Sequence, residues 1–195
     1  MKKIIILLLL FTCSFEALAQ NHIKFMGIPL EQQLHQFVFQ LKQKGFKDGW
    51  HNSLEEFLEQ YNMKGKFLGI REQDIIIQCV DKTVIGVIVP YHYESWKEAF
   101  NQYSTLKAML TQKYGKPNKC VEKFLTNPIP KDDKSKFLAV KSEKCNYSSV
   151  FNVDSGRIEV SISNGSNAFP RSLIDVGLKY WDDSPIKTRR PIDDL

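Results

Sequence analysis

The side chains able to do chemistry are few and scattered. Four histidines, His22, His35, His51 and His92, supply the imidazoles, and a hydroxyl or thiol nucleophile needs such a base within hydrogen-bond reach. None stands in a recognisable frame. The chain holds no Gly-x-Ser-x-Gly elbow, no phosphate-cradling glycine loop and no His-Glu-x-x-His helix. His92 comes closest to a proton-transfer group, with Tyr91, Tyr93 and Glu94 beside it. At a strand-to-helix junction these types are expected as an amphipathic cover over the core edge; the rival is a divergent small-hydrolase site on His92 and Glu94. Carboxylates occur in adjacent pairs, Glu55/Glu56, Asp132/Asp133, Asp182/Asp183 and Asp193/Asp194. Glycoside hydrolysis uses two such groups facing each other across a cleft, whereas neighbouring acids in loops are solvated charge. The Asp182/Asp183 loop lacks the alternating oxygen ligands and turn glycine of a calcium site. No metal and no other cofactor is expected.

The cysteines point to a compartment. The chain opens Met1-Lys2-Lys3, continues apolar over 4–11 and reaches Ala17-Leu18-Ala19 before Gln20, the pattern of an export signal over residues 1–19. Its apolar run is shorter than the roughly 20 residues of a membrane span. The mature chain is therefore expected to be exported, periplasmic or extracellular, with no transmembrane segment. A lipid anchor on Cys13 is the alternative, disfavoured by Phe11 and Thr12 before it. Beyond the signal remain Cys79, Cys120 and Cys145, which in an oxidising compartment allow one bridge and one leftover thiol. Cys120 and Cys145 have polar neighbours and are the expected disulfide. Cys79, inside the apolar run 75–80, is expected as a buried small hydrophobe.

Composition bounds the rest. The chain has 195 residues, 43% hydrophobic and 25% charged, within the range of globular domains rather than disordered ones. The net charge is +5, and the signal carries Lys2, Lys3 and Glu16 of it. The basic residues are interspersed with acids, so nothing forms the stripe that nucleic acid requires, and none is expected as a partner.

Periodicity supplies the elements. Leu30, Leu34, Phe37, Val38 and Leu41 share one helical face, with Pro29 at the expected first turn and Gly45 as the stop. Ser53 and Glu56 form a capping signature ahead of Leu54, Phe57, Leu58 and Tyr61, which predicts a second short helix before Gly65. Runs 74–80 and 83–91 read as a hairpin turned at Asp81-Lys82. Ser95 and Glu98 cap a long helix whose stripe runs from Trp96 to Tyr114 and stops at Gly115. Strands are expected over 119–125, 137–141, 146–153, 157–163 and 172–181, with 126–136 a solvated loop and 186–195 a frayed tail.

Leu41-Lys42-Gln43-Lys44-Gly45 echoes the Leu110 to Gly115 helix end, and strands follow both. The reading is an α+β fold of two tandem helix-plus-antiparallel-sheet units, residues 20–92 and 93–185, with helices on one face of the sheet. The opposite face is then polar and bare. In the last strand Ile174, Val176, Leu178 and Tyr180 share one side, and Asp175, Lys179 and Trp181 the other. Trp50, Tyr91, Tyr93, Asp175, Lys179 and Trp181 are the expected contact surface, because aromatics concentrate at interface hot spots.

The string Phe25-Met26-Gly27-Ile28-Pro29-Leu30, the Leu41 to Phe46 helix end, Ser95-Trp96 and Lys113-Tyr114-Gly115-Lys116-Pro117 resemble uncharacterised secreted proteins common in gut Bacteroidetes. These motifs are structural punctuation, and no activity comes with them. The tandem organisation is also similar to the β-lactamase inhibitor protein, in which two such units form a concave sheet that grips another protein. That resemblance implies a secreted, non-enzymatic binding module whose open sheet face contacts a macromolecule, an envelope or extracellular protein among the candidates. A small hydrolase or an envelope assembly factor is the alternative.

Overall fold

The computed structural model describes residues 23–49, 59–153, 155–165 and 173–183. The expected export signal, Trp50, the capping signature at Ser53 and the tail 186–195 lie outside the described residues.

Strand formation follows the β-branched runs. β1 (Lys24–Phe25) and β2 (Ile28–Pro29) make a small hairpin of their own. β3 (Lys47–Asp48), β4 (Glu59–Phe67), β5 (Ile70–Val80), β6 (Thr83–Tyr93), β7 (Lys119–Phe124), β8 (Cys145–Val153), β9 (Gly156–Ser163) and β10 (Ile174–Asp182) form one sheet. Its order is β3-β4-β5-β6-β10-β9-β8-β7, and every neighbouring pair is antiparallel. Asp81 and Lys82 turn the β5–β6 hairpin with φ of 49° and 63°, the double positive φ of a tight turn matched to strand twist.

Among the described residues three helices accompany the sheet: α1 (Leu34–Gln43), α2 (Trp96–Tyr114) and α3 (Asp133–Lys141). Phe37, Val38 and Leu41 of α1, Trp96, Ala99, Tyr103, Leu106 and Leu110 of α2, and Val140 of α3 are buried in a single core. They meet alternate residues of the strands: Met63, then Ile75 and Ile77, Val87 and Val89, Val176 and Leu178, Val160 and Ile162, and Phe151. Alternation puts all of these on one side of the sheet. The helices therefore cover one face, and among the described residues no helix covers the other. No described helix is long and apolar enough to cross a membrane.

α2 obeys its sequence signals. Ser95 Oγ accepts from the Glu98 N–H, and Gly115 ends the helix at φ 84°. Elsewhere the structure corrects the expectations. α1 begins at Leu34 rather than at Pro29, because residues 31–34 bond the β5–β6 hairpin first: Glu31 N donates to Val84 O, Leu34 N to Lys82 O, and Gln32 O accepts from Val84 N. Tyr61 sits in a strand, not a helix, where Tyr61 and Met63 alternate against Ile77 and Ile75 of β5. The expected loop holds over 126–132, but its end, 133–136, and the expected strand 137–141 give way to α3. Asp132 caps it, accepting from the Ser135 N–H at 2.9 Å, and Ala139 and Val140 turn inward while Leu138 stays exposed.

The expected disulfide is also corrected. Cys120 and Cys145 are not joined in a disulfide. Cys120 stands opposite Ser149, and Cys145 opposite Phe124. The two cysteines share a face but are offset by four residues along the ladder, about 13 Å at strand rise. A disulfide tolerates Cα atoms no more than about 7 Å apart.

Candidate functional site

Antiparallel register builds the bare face row by row. Gly86 of β6 stands opposite Trp181 of β10, which stands opposite Arg157 of β9. Gln78 of β5 extends this row on one side and Asn152 of β8 on the other. A parallel row runs through Ile76, Ile88, Lys179 and Glu159. A third joins His92, Asp175 and Ser163.

Trp181 is seated because position 86 lacks a side chain. A Cβ there would lie 2.7 and 2.9 Å from Cε3 and Cζ3 of the indole, so the ring rests on the bare Gly86 backbone. The Arg157 guanidinium sits 5.9 Å from the ring centroid, within cation–π range, and pairs with the Asp183 carboxylate. Lys179 folds over Gly177 and reaches Glu159 at 3.4 Å. His92 Nδ1 meets Asp175 Oδ1 at 2.6 Å. That hydrogen bond holds the His92 pKa above its ordinary value; burial opposes it, and the charges of Asp175 and Asp74 reinforce it. The charges at the middle of this face are thus matched across strands.

Two acceptors are not matched. Gln78 Oε1 and Asn62 Oδ1 are buried with no hydrogen-bond partner. Asn62 stands opposite Ile76, on the same face as Gln78. Gln78 is only 7% exposed, yet its side chain borders the bare strip of Gly86 that seats Trp181. A buried amide carbonyl without a donor costs about 1–3 kcal/mol.

Of the residues expected from sequence, Asp175, Lys179 and Trp181 share this face: Lys179 lies in the row next to Trp181, and Asp175 six residues along β10 with His92. Tyr91 and Tyr93 do not. They flank His92 by one residue on either side, so the two-residue period sends them to the helix-covered face, opposite Val176 and Ile174. Tyr91 is 5% exposed with its hydroxyl buried and unpartnered, and burial raises its pKa. Tyr93 packs half-buried against the core, and desolvation raises its pKa also.

Sequence reasoning missed Gly86, Arg157 and Gln78 as site members. A signal existed for Gln78, a lone amide inside the apolar run 75–80. Glycine at 86 in a run otherwise rich in valine and isoleucine was another.

His92 and Glu94 do not assemble a hydrolase centre. Glu94 lies just past the end of β6, exposed. The row reads Ser163, Asp175, His92, which puts the carboxylate where a nucleophilic triad places its imidazole. Ser163 is two strands from His92, about 10 Å. Among the described residues no three of His, Cys, Asp and Glu converge as metal ligands.

The helix-covered side carries other features. A groove of about 520 Å³ opens beside α1, lined by Leu34, Val38, Phe39 and Tyr61 among others. At the β7 edge, Lys107 Nζ lies 2.6 Å from Glu122 Oε1 and 3.3 Å from Cys120 Sγ, and the Tyr103 hydroxyl reaches Glu122 at 3.0 Å and Ser149 at 2.7 Å. No family model, no curated protein and no solved structure matches this chain.

Proposed function

We propose that the protein is an exported, non-enzymatic binding module that presents the helix-free face of its sheet to a macromolecule of the cell envelope or the extracellular space. The observation that carries this reading is the seating of Trp181 on Gly86 with Arg157 beside it and Lys179 in the next row, on a face that no described helix covers. Aromatic and arginine side chains held in place contribute disproportionately to interfaces.

The two-unit architecture belongs to the same proposal. Residues 20–92 supply α1 and β3 to β6; residues 93–185 supply α2 and β7 to β10. The strand order, which runs inward from β3 to β6 and outward from β10 to β7, supports duplication about the β6–β10 seam. So does the place of the Ser53/Glu56 signature between β3 and β4, matching that of α3 between β7 and β8. On this reading the organisation is that of the β-lactamase inhibitor protein, and the contact surface straddles the seam.

The test uses the mature protein immobilised and exposed to an envelope extract, comparing wild type, Trp181→Ala and Phe39→Ala, a change at an exposed residue of α1 on the opposite side. A retained component lost with Trp181→Ala and kept with Phe39→Ala is expected. An identical retained set for all three proteins refutes the surface. Mass spectrometry of the exported chain is expected to find Gln20 at its start; lipid on Cys13 would instead make it a tethered envelope factor.

A further inference from the structure

We infer that the bare face binds a neutral saccharide chain, with Trp181 as the stacking platform and Gln78 as the acceptor for a sugar hydroxyl. The inference rests on the binding-module reading and names the chemistry of its partner.

Three observations select this ligand. Gln78 Oε1 is buried without a donor, on a side chain that is 7% exposed. A folded chain leaves such a carbonyl unmatched rarely, and a ligand that brings a donor restores the lost hydrogen bond. Asn62 Oδ1, one strand further out on the same face, is a second acceptor of this kind. Next, the ionic groups near Trp181 are already neutralised, Arg157 with Asp183 and Lys179 with Glu159, as is His92 with Asp175 further along β10. An anionic or cationic ligand would have to break one of these pairs. The chemistry left over is neutral amide, on Gln78 and Asn152 in the same row as the flat Trp181 ring and on Asn62 in the next row towards the sheet edge.

A pyranose matches that set. One face of the sugar ring is a sheet of C–H bonds that lies against an indole, whose quadrupole offers a negative surface to the slightly positive hydrogens. The rim carries hydroxyls, each both donor and acceptor. A hydroxyl donating to Gln78 Oε1 satisfies the orphan, and its lone pairs are free to accept from neighbouring amides. Because Trp181 is already held on Gly86, little side-chain freedom is lost on binding. A rowed arrangement across five strands fits an extended chain better than a single sugar.

The experiment titrates the full mature protein with hexaoses of glucose, mannose, xylose and N-acetylglucosamine, and with polygalacturonate as the charged control, by calorimetry. At least one neutral hexaose is expected to bind with Kd of about 1 mM or tighter, and polygalacturonate not to. Trp181→Ala is expected to weaken binding by tenfold or more. Gln78→Leu separates function from fold: it removes an unmatched carbonyl, so the urea midpoint should hold or rise while affinity falls about tenfold. No neutral hexaose bound at about 5 mM, full affinity in Gln78→Leu, or a lowered urea midpoint in that variant overturns the inference. If no saccharide binds but a protein is retained in a Trp181-dependent way from the envelope extract, the contact face stands and the saccharide falls. If neither occurs, both fall.

Discussion

Gly86→Ala is the sharpest probe of how the site is made, because its effect depends on Trp181, distant in sequence but directly opposite on the neighbouring strand. The new Cβ would stand 2.7 Å from Cε3 and 2.9 Å from Cζ3 of Trp181, and 3.1 Å from the Tyr180 carbonyl oxygen. Carbon pairs prefer about 3.5–4.0 Å, so the indole must lift off the sheet. Overpacking of this kind costs about 1–3 kcal/mol. Alanine also restricts the unfolded chain relative to glycine, which returns about 0.4–1 kcal/mol. The expected net loss is about 1–2 kcal/mol, or a Tm lower by roughly 2–8 °C for a chain of this size. In a Trp181→Ala background the ring is gone and only the carbonyl contact remains. There Gly86→Ala is expected to be neutral or stabilising by a few tenths of a kcal/mol, so the double-mutant cycle returns a coupling of about 1–2 kcal/mol. Urea unfolding followed by far-UV circular dichroism measures all four proteins. Equal effects of Gly86→Ala in the two backgrounds would mean that the indole does not rest on Gly86, and the platform would be lost with it.

Phe46→Ala should destabilise by about 3–5 kcal/mol in the same assay, since Phe46 is buried and its ring fills the space over Gly65, 2.5 Å from where a Cβ would be. Ser95→Ala should cost about 1 kcal/mol by removing the acceptor for the Glu98 N–H at the start of α2. His92 has a folded-state pKa above its unfolded value, owing first to its hydrogen bond with Asp175; the stability it adds is complete below the unfolded pKa of about 6.5 and disappears as pH rises through the folded one. Because the pair is partly solvent-screened, that gain is below about 1 kcal/mol, and His92→Gln should flatten the stability-against-pH curve across this window. In the native protein Cys120 should be the first thiol alkylated, because it is exposed while Cys79 is buried and burial pushes the Cys145 thiol up to about 12; mass mapping that finds Cys79 or Cys145 first contradicts the packing.

What was legible in the sequence tracks how locally each element is specified. The hairpin of β5 and β6, the capped helix α2 and the alternating strand β10 carry their own signals, and each lies where those signals put it. α1 lost its first turn to the hydrogen bonds that residues 31–34 make with the hairpin backbone, a partner from a distant part of the chain. α3 was hidden because Pro128, Pro130 and six consecutive charged or polar residues, 131–136, imitate a loop, while the decisive cap is the pairing of Asp132 with Ser135. The site divides in the same way. Asp175, Lys179 and Trp181 lie on the helix-free face as expected, because period-two alternation is written within β10. Tyr91 and Tyr93 were assigned to the wrong face because their aromatic character outweighed their parity with His92. Gly86 and Gln78 gain meaning only from register with β10, which no local pattern encodes.

The same register lowers the apolar exposure of the face that no described helix covers. A bare face of valines and isoleucines would be a large apolar patch. Here Ile76, Ile88, Val121 and Val150 are among the aliphatic members, and long side chains lie among them: Lys179 along its own strand over Gly177, Trp181 across Gly86, Arg157 beside Trp181. Glycines at 86 and 177 let neighbouring side chains lie down on the sheet, and cross-strand ion pairs fasten two of the three. The arrangement lowers apolar exposure and at the same time fixes the side chains in one geometry, so solubility and preorganisation have one cause. It follows that a variant such as Gly177→Val, which would raise Lys179 off the surface, should weaken ligand binding and increase self-association together. Light scattering and calorimetry on the same sample would read both; a change in one without the other would separate the two properties and refute their common origin.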